Sequence, residues 1–322
     1  MTRLASLFLI VGINALFMGS MGGAAADALT PGTRVLLDAH NAYPYEGRWA
    51  DRVDRAIATG TPVAIEQDLF WYTDPKTGIA RSIVAHGEPF TGEEPSLREY
   101  FFERIRPTIE RALRDNHRDD WPIITLNLDF KTDEAAHHQA VWDLLGEYEA
   151  WLCTATRAES PASVQPLHAG PLLVLTGEQD EQERDFHDRV PVGRTLRLFG
   201  AVHHTPPAAG VRTNYRRWSN NAWTVIEPEG QPKAGAWTKE KDQRLEATVR
   251  GAHEAGLWIR FYTLNGHDPG DESGGWSASF NFGSLAAVTH RWRAAIRAGV
   301  DFVAVDQYEE FAKFRRQSAG GR

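Results

Sequence analysis

"PVAIEQDLFWYTDPKTGIARSIVAHG", residues 62–87, sets two apolar runs around a turn. The first run carries Glu66 and Asp68 near its end, and the two-residue period of a strand puts both carboxylates on one face. Between Leu69 and Arg81 stands only "FWYTDPKTGIA", whose "TDPKTG" is turn chemistry. A parallel crossover needs about a dozen residues or more, usually a helix. The two runs are therefore expected to pair as a hairpin, with the second closing in His86 and Gly87.

On either side of this segment the pattern changes to short apolar runs alternating with helical stretches. The further strand candidates are "RVLLDA", "PIITLNLDF", "PLLVLTG", "TLRLFGAV", "LWIRFYTL" and "DFVAVD". Helical periodicity covers 48–59, 96–115, 134–152, 238–255 and 284–298. Apolar strands alternating with helices indicate an α/β protein with a parallel sheet covered on both sides. About eight such strands in this length favour a (β/α)8 TIM barrel over an open sheet. No Gly-rich dinucleotide fingerprint follows the first strand, which counts against the open alternative. The barrel is expected to be irregular near residues 70–86.

The chain has 322 residues, and the first 26 read differently from the rest. Arg3, the apolar "LASLFLIVGINALFM" and the small residues of "GGAAADA" make a signal peptide cleaved after Ala26. An uncleaved anchor is disfavoured, because the apolar core is short for a bilayer. Residues 27–322 are then a single barrel domain, secreted or periplasmic. The net charge is −8, which argues against nucleic acid as a partner. Cys153 is the sole cysteine, so intrachain disulfides and cysteine-rich zinc sites are excluded. Of the 11 tryptophans, Trp218, Trp223, Trp237 and Trp276 fall in loop-like sequence. They suit core packing or a site for apolar or sugar-like groups.

In a parallel barrel the active groups come from the C-terminal ends of the strands. His40 and Asn41 follow the first strand, and Glu66 and Asp68 end the second. Asp129 and Lys131 end "PIITLNLDFK", and His86 closes "RSIVAH". Each has an ordinary reading as a cap, a turn residue or a solvated charge. Together they are harder to explain that way. Three carboxylates converging on one point repel unless a cation sits between them. Oxygen ligands favour Mg²⁺ or Ca²⁺ over a thiolate-seeking metal. With two histidines as base or nucleophile and acid, this is a kit for cleaving a phosphodiester.

These motifs resemble the PLC-like phosphodiesterase superfamily, which includes phosphatidylinositol-specific phospholipase C, glycerophosphodiester phosphodiesterase and sphingomyelinase D. "AHNAY" is similar to the His-Asn segment of eukaryotic phospholipase C, and "AIEQDLFW" to the shared Glu-x-Asp element. "IVAHG" resembles the strand with the second histidine, and "LNLDFKT" the Asp-x-Lys strand of sphingomyelinase D. "LWIRFYTLN" and "AGVDFVAVDQYEEF" look like the last two glycerophosphodiesterase strands. The resemblance spans residues 35 to about 311. It implies His40 and His86 as the acid–base pair, and Glu66, Asp68, Asp129 and Asn41 as ligands of one divalent cation, Ca²⁺ or Mg²⁺. Lys131 and Tyr262 would bind substrate. The chain departs from the glycerophosphodiesterases at His40-Asn41-Ala42, where they carry His-Arg-Gly, so their phosphate-binding arginine is absent.

The segment 203–237 is the longest without clear periodicity and is expected to fold over the barrel mouth as a loop. Its Arg212, Arg216 and Arg217 would receive a second phosphate or a polar head group, or else be solvated. The expected function is an exported, metal-dependent phosphoric diester hydrolase acting on a glycerophosphodiester or a phospholipid head group. Transient contact with a membrane surface is expected, and no obligate protein partner. The alternatives are a sphingomyelinase D-like cyclising lyase and a non-catalytic barrel that binds a phosphorylated ligand.

Overall fold

The computed structural model describes residues 29–45, 49–116, 121–203, 210–268, 270 and 277–319; the expected signal peptide and Trp276 lie outside them. The strands are β1 (Leu36–Ala39), β2 (Val63–Thr73), β3 (Ala80–Val84), β4 (Ile124–Phe130), β5 (Ala155–Thr156), β6 (Leu172–Thr176), β7 (Thr195–Leu196), β8 (Phe199–Ala201), β9 (Arg216–Ala222), β10 (Trp258–Tyr262) and β11 (Phe302–Val305). β1, β11, β10, β9, β8, β6, β4 and β2 pair in that order, all parallel, and β2 returns to β1. That closes an eight-stranded α/β barrel. β5 and β7 form a separate antiparallel ribbon.

Side-chain alternation divides each strand between two cores. Leu37, Ile65, Leu126, Val174, Ile259 and Val303 belong to the core shared with the surrounding helices. These include Arg52–Ala58, Glu103–Arg114, Ala135–Glu147, Lys239–Glu254, Leu285–Ala298 and Tyr308–Ala319. Thr238 and Ser284 cap two of them, each hydroxyl accepting a backbone N–H from the first turn. The opposite faces fill the barrel. Leu36, Trp218, Trp258 and Phe302 pack there with Trp121, whose ring meets Trp258 and Phe302 edge-on. This aromatic layer closes the end at which the strands begin. Asp38 and Arg260, two residues further along β1 and β10, lie one layer nearer the other end.

The hairpin expected at 62–87 is present. β2 continues to Thr73 and pairs antiparallel with β3, with Leu69 opposite Val84 and Thr73 opposite Ala80. "RSIVAH" is thus an arm on the barrel and not one of its staves. The eighth stave is β9, "RRWSNNA", inside the segment expected to be a loop. Its Ser219, Asn220 and Asn221 replace the apolar run that marks the other strands. Trp218 and Trp223 are core residues, both fully buried.

Candidate active site

The strands' C-terminal ends surround a cavity of about 400 Å³. His40, Asn41, Glu66, Asp68, His86, Asp129, Lys131 and Tyr262 all line it. Eight of the eleven residues singled out from the sequence are therefore brought together.

His40 leaves β1 with its N–H on the Val305 carbonyl and its own carbonyl accepting from the Tyr308 hydroxyl. Nδ1 lies 3.0 Å from Asp306 Oδ1, and Nε2 lies 3.5 Å from Glu66 Oε2. Burial works against the imidazolium, but Glu66 and Asp306 outweigh it and raise His40 to about 9. Asn41 adopts a left-handed conformation, φ 54°, which asparagine tolerates better than most residues. That turn aims its N–H at Glu66 Oε2, 3.1 Å away, and its Nδ2 at Asp306 Oδ1, 3.0 Å away. Arg52 braces the same turn by donating to the Asn41 and Tyr43 carbonyls.

Parallel register sets Asp68 of β2 beside Asp129 of β4. Carboxylate oxygens of Glu66, Asp68 and Asp129 lie within 4.8 Å of one another. Their surroundings differ. Glu66 is buried, yet Arg260, His40 and Lys131 hold its carboxyl down to about 2. Asp68 is pushed well above the usual carboxylate range by burial, with Lys131 opposing and Glu66 and Asp129 adding to the rise. Lys131 Nζ sits 2.6 Å from Asp129 Oδ2 and 3.7 Å from Asp68 Oδ2. Among the described residues, neither oxygen of Asp68 has a hydrogen-bond partner. Two bare buried oxygens beside two further carboxylates fit a hard divalent cation, so the residues present suit the expected metal.

His86 stands at the end of the hairpin arm with its ring 5.8 Å from that of Tyr43. Desolvation and the neighbouring Lys131 lower it, favouring the neutral imidazole. Tyr262 stacks on His40 at 6.2 Å and 16°, and the Arg260 guanidinium lies 5.4 Å from its ring centre.

Arg216 and Arg217 are a correction. Both lie on β9, not on a loop over the mouth, and neither lines the cavity. Arg216 is buried against Glu183 at 2.7 Å, Asp180 at 3.1 Å and two backbone carbonyls. Arg217 donates to the Asn214 and Gln165 carbonyls over the Phe199 ring, and burial lowers it to about 9. Arg212 is likewise absent from the lining.

Three site residues escaped the sequence reading. Asp306 follows β11 and accepts from Asn41 and from Asn265 Nδ2, the latter at 2.6 Å. It ends "DFVAVD", the same signal that marked Glu66 and Asp68. Arg260 stands inside the apolar run "LWIRFYTL", and Asp38 inside "RVLLDA". A charge on the inward face of a barrel strand was the available clue to both.

No protein-family model matches the chain, and no curated protein does. Among solved structures it is similar to a glycerophosphoryl diester phosphodiesterase from Parabacteroides distasonis, at 13% identity and TM-score 0.45, over 88% of this chain and 86% of that one. It is also similar to a calcium-dependent phosphoinositol-specific phospholipase C from Pseudomonas sp., at 14% identity and TM-score 0.46, over 88% and 93%. A third likeness is to HPPK-DHPS from Plasmodium falciparum, at 10% identity and TM-score 0.40, over 90% of this chain and 48% of that one.

Proposed function

We propose that the protein is an exported, metal-dependent phosphoric diester hydrolase that uses His40 and His86 as its acid–base pair. The observation that supports this most is their position: both histidines line one cavity with Asp68, a buried carboxylate neither of whose oxygens has a hydrogen-bond partner among the described residues. Glu66, Asp68 and Asp129 would hold one Ca²⁺ or Mg²⁺. Asn41 would offer its amide oxygen, because its Nδ2 is committed to Asp306. The cation would supply charge neutralisation at the phosphoryl oxygens.

The remaining work falls to side chains of the chain itself. Asp306 Oδ1 accepts a hydrogen bond from the Nδ1–H of His40, which leaves Nε2 as the atom that gives or takes the proton. One imidazole removes the proton of the attacking water and the other protonates the departing alkoxide as the P–O bond breaks. Lys131, held by Asp129, lies where a non-bridging oxygen could accept from it. Tyr262 walls the cavity beside His40.

The test is a panel of phosphodiesters, including glycerophosphocholine, phosphatidylinositol, lysophosphatidylcholine and sphingomyelin, with EDTA, Ca²⁺ or Mg²⁺. Turnover that requires a divalent ion supports the reading, and no turnover of any diester would overturn it. Phosphorus NMR of the products separates hydrolysis from cyclisation. Export is tested by N-terminal sequencing, which should find Asp27 first.

A further inference from the structure

In the cavity floor, Arg260 stands between two carboxylates. Its Nε donates to Asp38 Oδ2, its Nη1 donates to Asn220 Oδ1 at 3.1 Å, and its Nη2 lies 3.3 Å from Glu66 Oε1. All three charged residues are almost wholly buried. The contacts are unequal. Asp38 accepts a hydrogen bond from the guanidinium, whereas Glu66 has proximity without an aligned bond. Asp38 Oδ1 and Arg260 Nη2 have no hydrogen-bond partner among the described residues.

A buried ion pair in a barrel interior is a poor source of stability, because desolvation opposes the attraction. A half-satisfied one is poorer still. The aromatic layer directly below does the same space-filling without that cost. Some other demand on the layer must account for the pair.

We propose that Asp38 is a positioning residue that draws Arg260 away from Glu66, so that Glu66 stays oriented but is not neutralised and remains available to a divalent cation. This rests on the metal-dependent reading above. Arg260 flanks Glu66 Oε1 while the Asn41 N–H fixes Oε2. The carboxylate is thereby held from both sides. If Asp38 lost its charge, Arg260 would have one counter-ion left and would close on Glu66. The cation would then compete with an ion pair and would also lose the attraction of Asp38.

The test is calorimetric titration of metal-free protein with Ca²⁺ and with Mg²⁺, with folding checked by circular dichroism. Asp38→Asn keeps an acceptor for Nε and removes only the charge. It should weaken the cation's Kd by about tenfold, the equivalent of ~1.4 kcal/mol. Asp38→Asn with Arg260→Met removes the competitor as well, and should restore Kd to within about threefold of wild type. Unchanged affinity in Asp38→Asn overturns the proposal, and so does a double variant that stays as weak as the single one. Should the single variant not fold, the double variant carries the test, and a tenfold weaker Kd there is the refuting result. A wild-type protein that binds neither cation overturns the metal-dependent reading itself.

Discussion

Asp306 Oδ1 receives both the His40 ring, at 3.0 Å, and the Asn41 side chain, at 3.0 Å, so one carboxylate from the last barrel strand orients the whole turn after the first. Asp306→Asn should keep the fold and break that orientation. The expected loss in kcat is about 10²–10⁴-fold, the range for a general acid–base group, with KM little changed. Steady-state kinetics on any accepted diester decides it, and a variant within about threefold of wild type removes Asp306 from the mechanism.

His40→Ala and His86→Ala should each lower kcat by at least about 100-fold. Their combined effect should fall short of the product, because groups acting as a unit are not additive. A substrate with a good leaving group should rescue one variant only, and that variant identifies the acid. Rescue of both, or of neither, would contradict the pairing.

Asp68 bears on stability in the opposite direction to activity. Its folded-state carboxyl is raised by burial, so metal-free protein gains stability from it at low pH and loses that stability as pH rises through the raised value. Asp68→Asn should therefore leave the Tm of metal-free protein at neutral pH unchanged or higher. The same substitution should abolish stabilisation by a divalent ion, about 2.7 kcal/mol for wild type at one hundred times Kd. Thermal melts with EDTA and with excess Ca²⁺ or Mg²⁺ check both halves.

Glu227 is a purely structural counterpart. It accepts from Arg291 at 2.9 and 2.7 Å, from Lys241 at 2.7 Å and from Trp223 Nε1 at 2.7 Å. Burial opposes its ionisation, but Arg291, Lys241 and Trp223 hold it below the usual range. Its contribution is complete above the unfolded glutamate value of about 4.3 and is lost as pH falls through the lowered one. Glu227→Gln strands the buried Arg291 and should cost about 3–5 kcal/mol at neutral pH. Urea unfolding across pH 2–7 should show wild type losing part of this advantage at the acid end.

The cavity-lining set was legible because most of its members end apolar runs, and a charge there has few structural uses. β9 was illegible for the converse reason. Asn220 faces the polar upper half of the interior beside Arg260, while Ser219 and Asn221 on the opposite face hydrogen-bond to each other, and the strand lost its apolar signature. The hairpin could be read from the length of its connection alone. The bond between Arg260 and Asp38 joins positions 222 apart, and no local period encodes which charges meet across a closed barrel. Arg216 and Arg217 misled because arginine beside tryptophan and asparagine looks like a binding loop, whereas acidic residues of the segment after β6 and backbone carbonyls had already taken them up.

The aromatic layer of Trp121, Trp218, Trp258 and Phe302 makes the barrel a cup, filled where its strands begin and open where they end. Under the proposed hydrolysis, reactant and both fragments would pass the same rim, one party at a time. The phosphate fragment would block its successor as long as it lingers, so it should inhibit competitively. Turnover would then be governed as much by how quickly the vessel empties as by how quickly the bond inside it is broken.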